Sequence, residues 1–537
     1  MVMRWHYHIL PKNLEVIMKF VKIFIILLLI PIQSVISADI EVFMDTLEQK
    51  LEWLNYRLNL EQWDHYTKGQ ADSLDFYQEL YNDLTSNPEI YLQLQRDKKD
   101  ISNEQDLRRW DILNSLFSSD DVGISHKISK LVDSLSSIEV NYRAIYNGEK
   151  KQANELYKIY RTSRNRGDRE NAYRAYVSVG NKLAEGLSQL IRLRNQQAKK
   201  NGYSNYFSYS FKQQNLDIDE YEKLLERLDQ LSQSPYQAIL ASVRNKLSYN
   251  ELQIWDLGYF YADINRELDS YFPVESQLSF IKQGLKGIGV NIDKMPIYFD
   301  LESRDGKSQF AFTFPIKPPH DLRVMANLIE GHYSTRTLHH EIGHAIHYAL
   351  ISQDNNLFRT EQSGIWSEAM AQIFAGMCEE RLWLEKYAKV PYAVARSFIK
   401  SKKEADIIYL RTQLMRLQFE LQAYTNPNRD LNKLYWELFE KYLMLPKHED
   451  LKPWASLFYY ITHPVYMQNY LYADMVKAQT YAYLEKNYES VVDNKMTKAF
   501  LVQNYLRFGS RYPWDELLER GTEEGLNPNY YIQSLGL

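Results

Sequence analysis

Cysteine is almost missing from this chain. Its 537 residues include one, Cys378, so no disulfide can form within it. The surrounding IFAGMCEERLWL has helical spacing, and the thiol reads as a small core residue. Glycine (20) and proline (16) are each outnumbered by tyrosine (42). Few breakers and much aromatic bulk argue against a strand-and-turn architecture and for long packed helices. A basic excess is also lacking: 64 Lys and Arg stand against 69 Asp and Glu, a net charge of -5. Nucleic acid is therefore not an expected partner. The apolar run IFIILLLI (Ile23–Ile30) falls well short of the about 20 residues that a membrane-spanning helix needs.

That run has another reading. Lys19 and Lys22 precede it, Pro31 follows, and Ala38 is a small residue at a plausible cleavage point. A charged stretch, a short apolar stretch and a small residue make an export signal. Residues 1–38 are thus expected to be an upstream extension and signal peptide, with Met18 as a rival start to Met1. The mature protein would be periplasmic or extracellular, with no stable membrane anchor. The cysteine that a bacterial lipoprotein would carry at this point is absent.

From Asp39 onward the pattern is mainly α. Segments such as IEVFMDTLEQKLEWLNYRLNLEQW space apolar residues by threes and fours. No repeat, low-complexity linker or composition break interrupts residues 39–537, which predicts a single helical domain. One region differs. MPIYFDLESRDGKSQFAFTFPI (Met295–Ile316) has two strand-like runs around Asp305-Gly306, a hairpin signal. The second run, Ser308 to Phe314, reads either as a packing strand or as an edge strand that pairs with an extended peptide.

Histidine is scarce too, at 12 residues, yet four fall in TLHHEIGHAIHYAL (Thr337–Leu350). His340 and His344 are one helical turn apart and share a face. With Glu341 they form H-E-x-x-H: two imidazoles for one Zn²⁺ and a carboxylate beside them. A chain of this composition carries about 0.02 such patterns by chance. Gly343 inside this helix costs roughly 1 kcal/mol against alanine, which implies a close backbone approach. A catalytic zinc wants three protein ligands and one open position. Glu368, in the helical pattern SGIWSEAMAQIFAGM, is the expected third. Gln372 and His347 are candidates for hydrogen bonding to a ligand, and His339 is expected to point away.

These motifs resemble the gluzincin peptidases. HHEIGH, LRNQQAKKNGYSNYFSY (Leu193–Tyr209) and GSRYPWDELLERGTEEGLNP (Gly509–Pro528) resemble the angiotensin-converting-enzyme family. GKSQFAFTFPI, HEIGHAIH and EAMAQ resemble the thimet oligopeptidase and oligoendopeptidase family. The resemblance implies a two-lobed helical peptidase with a deep central channel and a small antiparallel sheet near the zinc. It also implies zinc-assisted hydrolysis of short peptides with Glu341 as general base. Both families place a histidine and tyrosines of a late helix at the developing oxyanion. In ITHPVYMQNYLYADMV (Ile461–Val476) these would be His463, Tyr470 and Tyr472, with Tyr470 first because its +7 spacing from His463 puts both on one helical face. Ile461 stands where angiotensin-converting enzymes have a lysine for the substrate's terminal carboxylate, and their chloride-binding arginine has no match in this stretch. Release of C-terminal dipeptides is therefore the alternative activity. A helical peptide-binding protein with a structural zinc is the rival from another class, disfavoured by Glu341 and the open fourth position.

Overall fold

The computed structural model describes residues 39–537 apart from 119–121, 309 and 361–362. The expected signal segment, residues 1–38, lies outside the described residues. Among those described, the chain folds into twenty-two α-helices with five short strands, so the mainly α expectation holds. No described helix is long and apolar enough to cross a membrane.

Seven helices build or support the site: Ile40–Lys68 (α1), Gly180–Lys200 (α2), His332–Leu350 (α3), Gly364–Met377 (α4), Tyr392–Thr425 (α5), Tyr459–Thr462 (α6) and Met467–Tyr488 (α7). In α3, the residues Leu338, Ile342, Ala345 and Ile346 are fully buried, the stripe that their spacing predicts. No side chain of its own caps its start. Instead the His332 amide donates to Asp269 Oδ1 at 3.0 Å. In α4 every residue from Ile365 to Met377 is buried, which marks a helix enclosed on all sides. The main core contains α3 and α4 and runs on through the C-terminal helices. A smaller core, built by residues between Ile40 and Phe117, includes Leu357 and Phe358 from the connection between α3 and α4.

Two strands, Ala144–Tyr146 (β1) and Glu149–Lys151 (β2), form a small separate hairpin. The sheet near α3 has the order β3-β5-β4, from Ile297–Asp300 (β3), Phe312–Lys317 (β4) and Asp321–Met325 (β5). β4 and β5 pair antiparallel, while β3 and β5 pair parallel. The hairpin expected at Asp305-Gly306 is therefore corrected: the two runs it would join lie on either side of β5. Gly306, at φ +80, serves a different need. A Cβ there would come within 3.0 Å of the Lys68 carbonyl, so the loop packs tightly on the end of α1. The ammonium of Lys307, buried beneath that loop, donates to the Asp300, Glu302 and Ala326 carbonyls at 2.8–2.9 Å. The true hairpin turn is Lys317–His320. β4 is an edge strand, as one reading of the sequence had it, and Phe314 packs against Trp63 of α1 at a centroid distance of 5.6 Å.

Candidate active site

α3 and α4 cross so closely that Gly343 is required. A Cβ at that position would come 2.9 Å from Ala371 Cα and 3.1 Å from Phe374 Cβ. This contact brings Glu368 of α4 under the histidine pair of α3. Donor atoms of His340, His344 and Glu368 all lie within 4.8 Å of one another.

The hydrogen bonds around these donors leave one position to fill. Ser367 Oγ lies 3.1 Å from His344 Nδ1, which leaves Nε2 for a metal. The Tyr466 hydroxyl donates to Glu368 Oε1 at 2.8 Å. Glu368 Oε2 is buried and has no hydrogen-bond partner, although His340 Nε2 is 3.2 Å away. Two lone-pair donors this close, without hydrogen-bond geometry, suit a shared cation. Two imidazoles and one carboxylate are an ordinary donor set for Zn²⁺.

Electrostatics fit the same use. Burial lowers His344 to about 3, so its imidazole is neutral and able to ligate. Burial would raise Glu368, but His340, His344 and the Tyr466 hydroxyl outweigh it and hold the carboxyl below its usual range. Burial raises Glu341 to about 7, with Thr313 and His340 opposing. The Thr313 hydroxyl of β4 lies 3.0 Å from Glu341 Oε2 and 2.7 Å from the Glu341 carbonyl, and it donates to either.

The late segment is placed less simply. His463 ends α6 and α7 begins only at Met467. The single helical face expected for His463 and Tyr470 does not exist. The two are nonetheless brought together, because Tyr459, His463, Tyr466 and Tyr470 form one aromatic group with centroid distances of 5.8–6.5 Å. Glu368's charge is felt by both His463 and Tyr470, and the Tyr470 hydroxyl lies 3.3 Å from that of Tyr459. Tyr472 is not brought to this group. Its ring packs between Tyr221 and Trp514, because residues two apart on a helix face opposite ways.

Gln372 does not touch a ligand: its Oε1 accepts from Arg336 Nη2 at 2.7 Å, and Arg336 also donates to Glu379. His339 and His347 are buried without hydrogen-bond partners, and burial keeps them neutral, at about 3 and about 4. They are core residues. Sequence reasoning missed Tyr466 and Ser367. Ser367 had a signal, its place next to Glu368; Tyr466 had only its membership of the tyrosine-rich stretch.

Comparison with known families adds two matches. The model of peptidase family M3 matches residues 159–537, and that of angiotensin-converting enzyme matches residues 35–261. Both are gluzincin families, which are zinc dependent. No curated protein matches the chain.

Proposed function

The chain belongs to peptidase family M3 and is a zinc metallopeptidase, and on that footing we propose that it is an exported oligopeptidase cutting internal bonds of short unstructured peptides. The carrying observation is the cluster of three donors with the Glu341 carboxylate beside it. His340, His344 and Glu368 would hold the ion. Bound there, Zn²⁺ would lower the pKa of a water towards neutrality and polarise the peptide carbonyl. Glu341, poised near neutral pH, takes the water's proton as it attacks and returns it to the leaving amine. Tyr470 and His463 donate to the developing oxyanion. Tyr466 orients Glu368, and Thr313 orients Glu341. β4 offers its free edge to an extended peptide. That edge ends at Pro315, whose carbonyl already accepts from Asn59 Nδ2 at 2.7 Å.

Side chains around the site support a recessed approach. Tyr409 is 44% exposed, yet burial pushes its hydroxyl well above the usual phenol range. His463 is exposed, yet burial lowers its imidazole. Crowding of groups that still touch water supports a cleft here over a convex surface. A cleft admits a flexible chain and excludes a folded domain. Export rests on the charged, apolar and small residues of the first 38. The test is to incubate the zinc-loaded protein with a folded substrate and its unfolded fragments, and to read products by mass spectrometry. Cleavage of the fragments alone is expected; cleavage of neither, or of both equally, contradicts the proposal.

One observation favours the dipeptide-releasing alternative. Ile461 is fully buried, so that position holds no charge for a terminal carboxylate. Arg416 of α5, however, is half-buried and its guanidinium has no hydrogen-bond or ion-pair partner among the described residues. It lies two turns after Tyr409, on the same helical face. Comparing kcat/KM for one peptide as free acid and as amide decides between the readings. Little change is expected for the oligopeptidase. A hundredfold loss on amidation, abolished by Arg416→Ala, would establish the alternative.

A further inference from the structure

The turn that presents His463 and Tyr466 is gripped by side chains of α2, α5 and α7 and by Gln214, which caps the helix Tyr206–Gln213. Between α6 and α7, Val465 sits at φ +54, a left-handed conformation that a β-branched residue rarely adopts. Both of its backbone polar groups are taken by side chains. Its N–H donates to Glu420 Oε1 of α5 at 2.6 Å. Its carbonyl accepts from Gln468 Nε2 at 2.6 Å and from Gln214 Nε2 at 3.4 Å. Four and five residues earlier, the buried Arg194 of α2 donates to the Ile461 carbonyl and, at 2.8 Å, to the Tyr460 carbonyl. No ion pair to Arg194 exists among the described residues; its guanidinium is spent on these two carbonyls and on the Tyr424 hydroxyl at 3.3 Å.

Glu420 is the unusual member. It is 4% exposed and has no ion-pair partner among the described residues. A buried carboxylate without a paired cation is expensive, and its bond to one strained amide accounts for its presence. Burial pushes it up to about 7, with the Val465 amide and Arg194 opposing. Downstream, the turn sets the 2.8 Å bond from Tyr466 to Glu368. Gly364 permits that approach, since a Cβ there would come 3.0 Å from the Tyr466 ring and 2.3 Å from Asn469 Nδ2.

We propose that Glu420 is a positioning residue for the metal site: by fixing Val465 in its left-handed conformation, with Gln468 holding the Val465 carbonyl and Arg194 those of Tyr460 and Ile461, it sets Tyr466 on Glu368 and His463 beside it. This rests on His340, His344 and Glu368 being the zinc ligands. It does not depend on which peptide is cut.

Three measurements test it: the zinc dissociation constant by chelator competition, kcat and KM on a quenched fluorescent peptide, and melting temperature. Glu420→Leu removes the acceptor; Glu420→Gln keeps one. The expected result for Glu420→Leu is about tenfold weaker zinc binding and a kcat about tenfold lower with little change in KM. Glu420→Gln should stay within about threefold of the wild type on both. A Glu420→Leu protein with wild-type zinc affinity would overturn the proposal even if it melts earlier, because a merely structural role predicts that outcome. Equal impairment of both variants would overturn it too. Should Glu420→Leu not fold, hydrogen exchange of the wild type carries the test: the Val465 amide should be protected like the interior of α7, and rapid exchange refutes the grip. A wild type that cuts no peptide would sink the function proposed above but leave the zinc-affinity arm intact.

Discussion

Gly343→Ala sets two effects of known size against each other. On an exposed helix the change would stabilise by about 1 kcal/mol. Here the new methyl would lie 2.9 Å from Ala371 Cα and 3.2 Å from the Ala371 carbonyl oxygen. Relaxed carbon contacts begin near about 3.5 Å, so α3 and α4 must part by roughly 0.6 Å. What has to yield is backbone, not the tip of a flexible side chain. Overpacking of this kind costs about 1–3 kcal/mol, so the net change runs from about neutral to about 2 kcal/mol destabilising. The larger consequence falls on the metal. Gly343 adjoins His344, and Ala371 lies one turn after Glu368, so the parting separates the proposed ligands of one helix from the proposed ligand of the other. Metal–ligand distances tolerate only about 0.2 Å. Zinc affinity should therefore fall about tenfold or more, measured by chelator competition beside melting curves with and without zinc. A variant that melts higher and binds zinc like the wild type would refute this account of the helix crossing.

Tyr470→Phe should lower kcat by roughly 10²–10³ with little change in KM, while Tyr472→Phe, whose ring lies between Tyr221 and Trp514, should affect melting more than turnover; the reverse ranking would move the donor role. Glu420 has a pH signature. Its carboxyl is raised to about 7 from a usual 4.5, so it binds its proton more tightly folded than unfolded. Its contribution to stability is complete below 4.5 and declines as pH rises towards 7. Glu420→Gln, which cannot titrate, should flatten the fall in melting temperature over that window, and parallel curves would contradict this. Removing zinc should lower the melting temperature by an amount that grows with the logarithm of the zinc affinity, and His340→Ala/His344→Ala should show no such difference; a zinc-dependent shift in that variant would place the ion elsewhere.

The cluster of His340, His344 and Glu368 was legible because its geometry is local. His340 and His344 share a face through the pitch of one helix, and Glu368 stands in the helical pattern SGIWSEAMAQIFAGM, whose residues Ile365–Met377 are buried. Gly343 announced a close contact, though not which helix supplies it. Tyr466 was not legible, since its bond to Glu368 depends on a left-handed valine and on Gly364 clearing a path. The same irregular turn ended the helix that would have placed His463 and Tyr470 on one face. Tyr472 was separable in principle, because two neighbours of the i, i+2 kind cannot both face one site. The sheet was misread at Asp305-Gly306 because β5, from later in the chain, lies between the strands that the local pattern joined. Strand order is non-local, and a glycine that serves close packing looks the same in sequence as one that serves a hairpin.

In the proposed mechanism Glu341 works as a base beside a zinc held by His340, His344 and Glu368. Glu341→Gln keeps the shape of the side chain and the Thr313 contact but cannot take a proton. Its kcat, measured on protein shown by elemental analysis to hold one zinc per chain, is the direct test. A loss of about 10²–10⁴, with zinc content and melting temperature unchanged, is the predicted result. Near wild-type turnover in the zinc-loaded variant would contradict the claim.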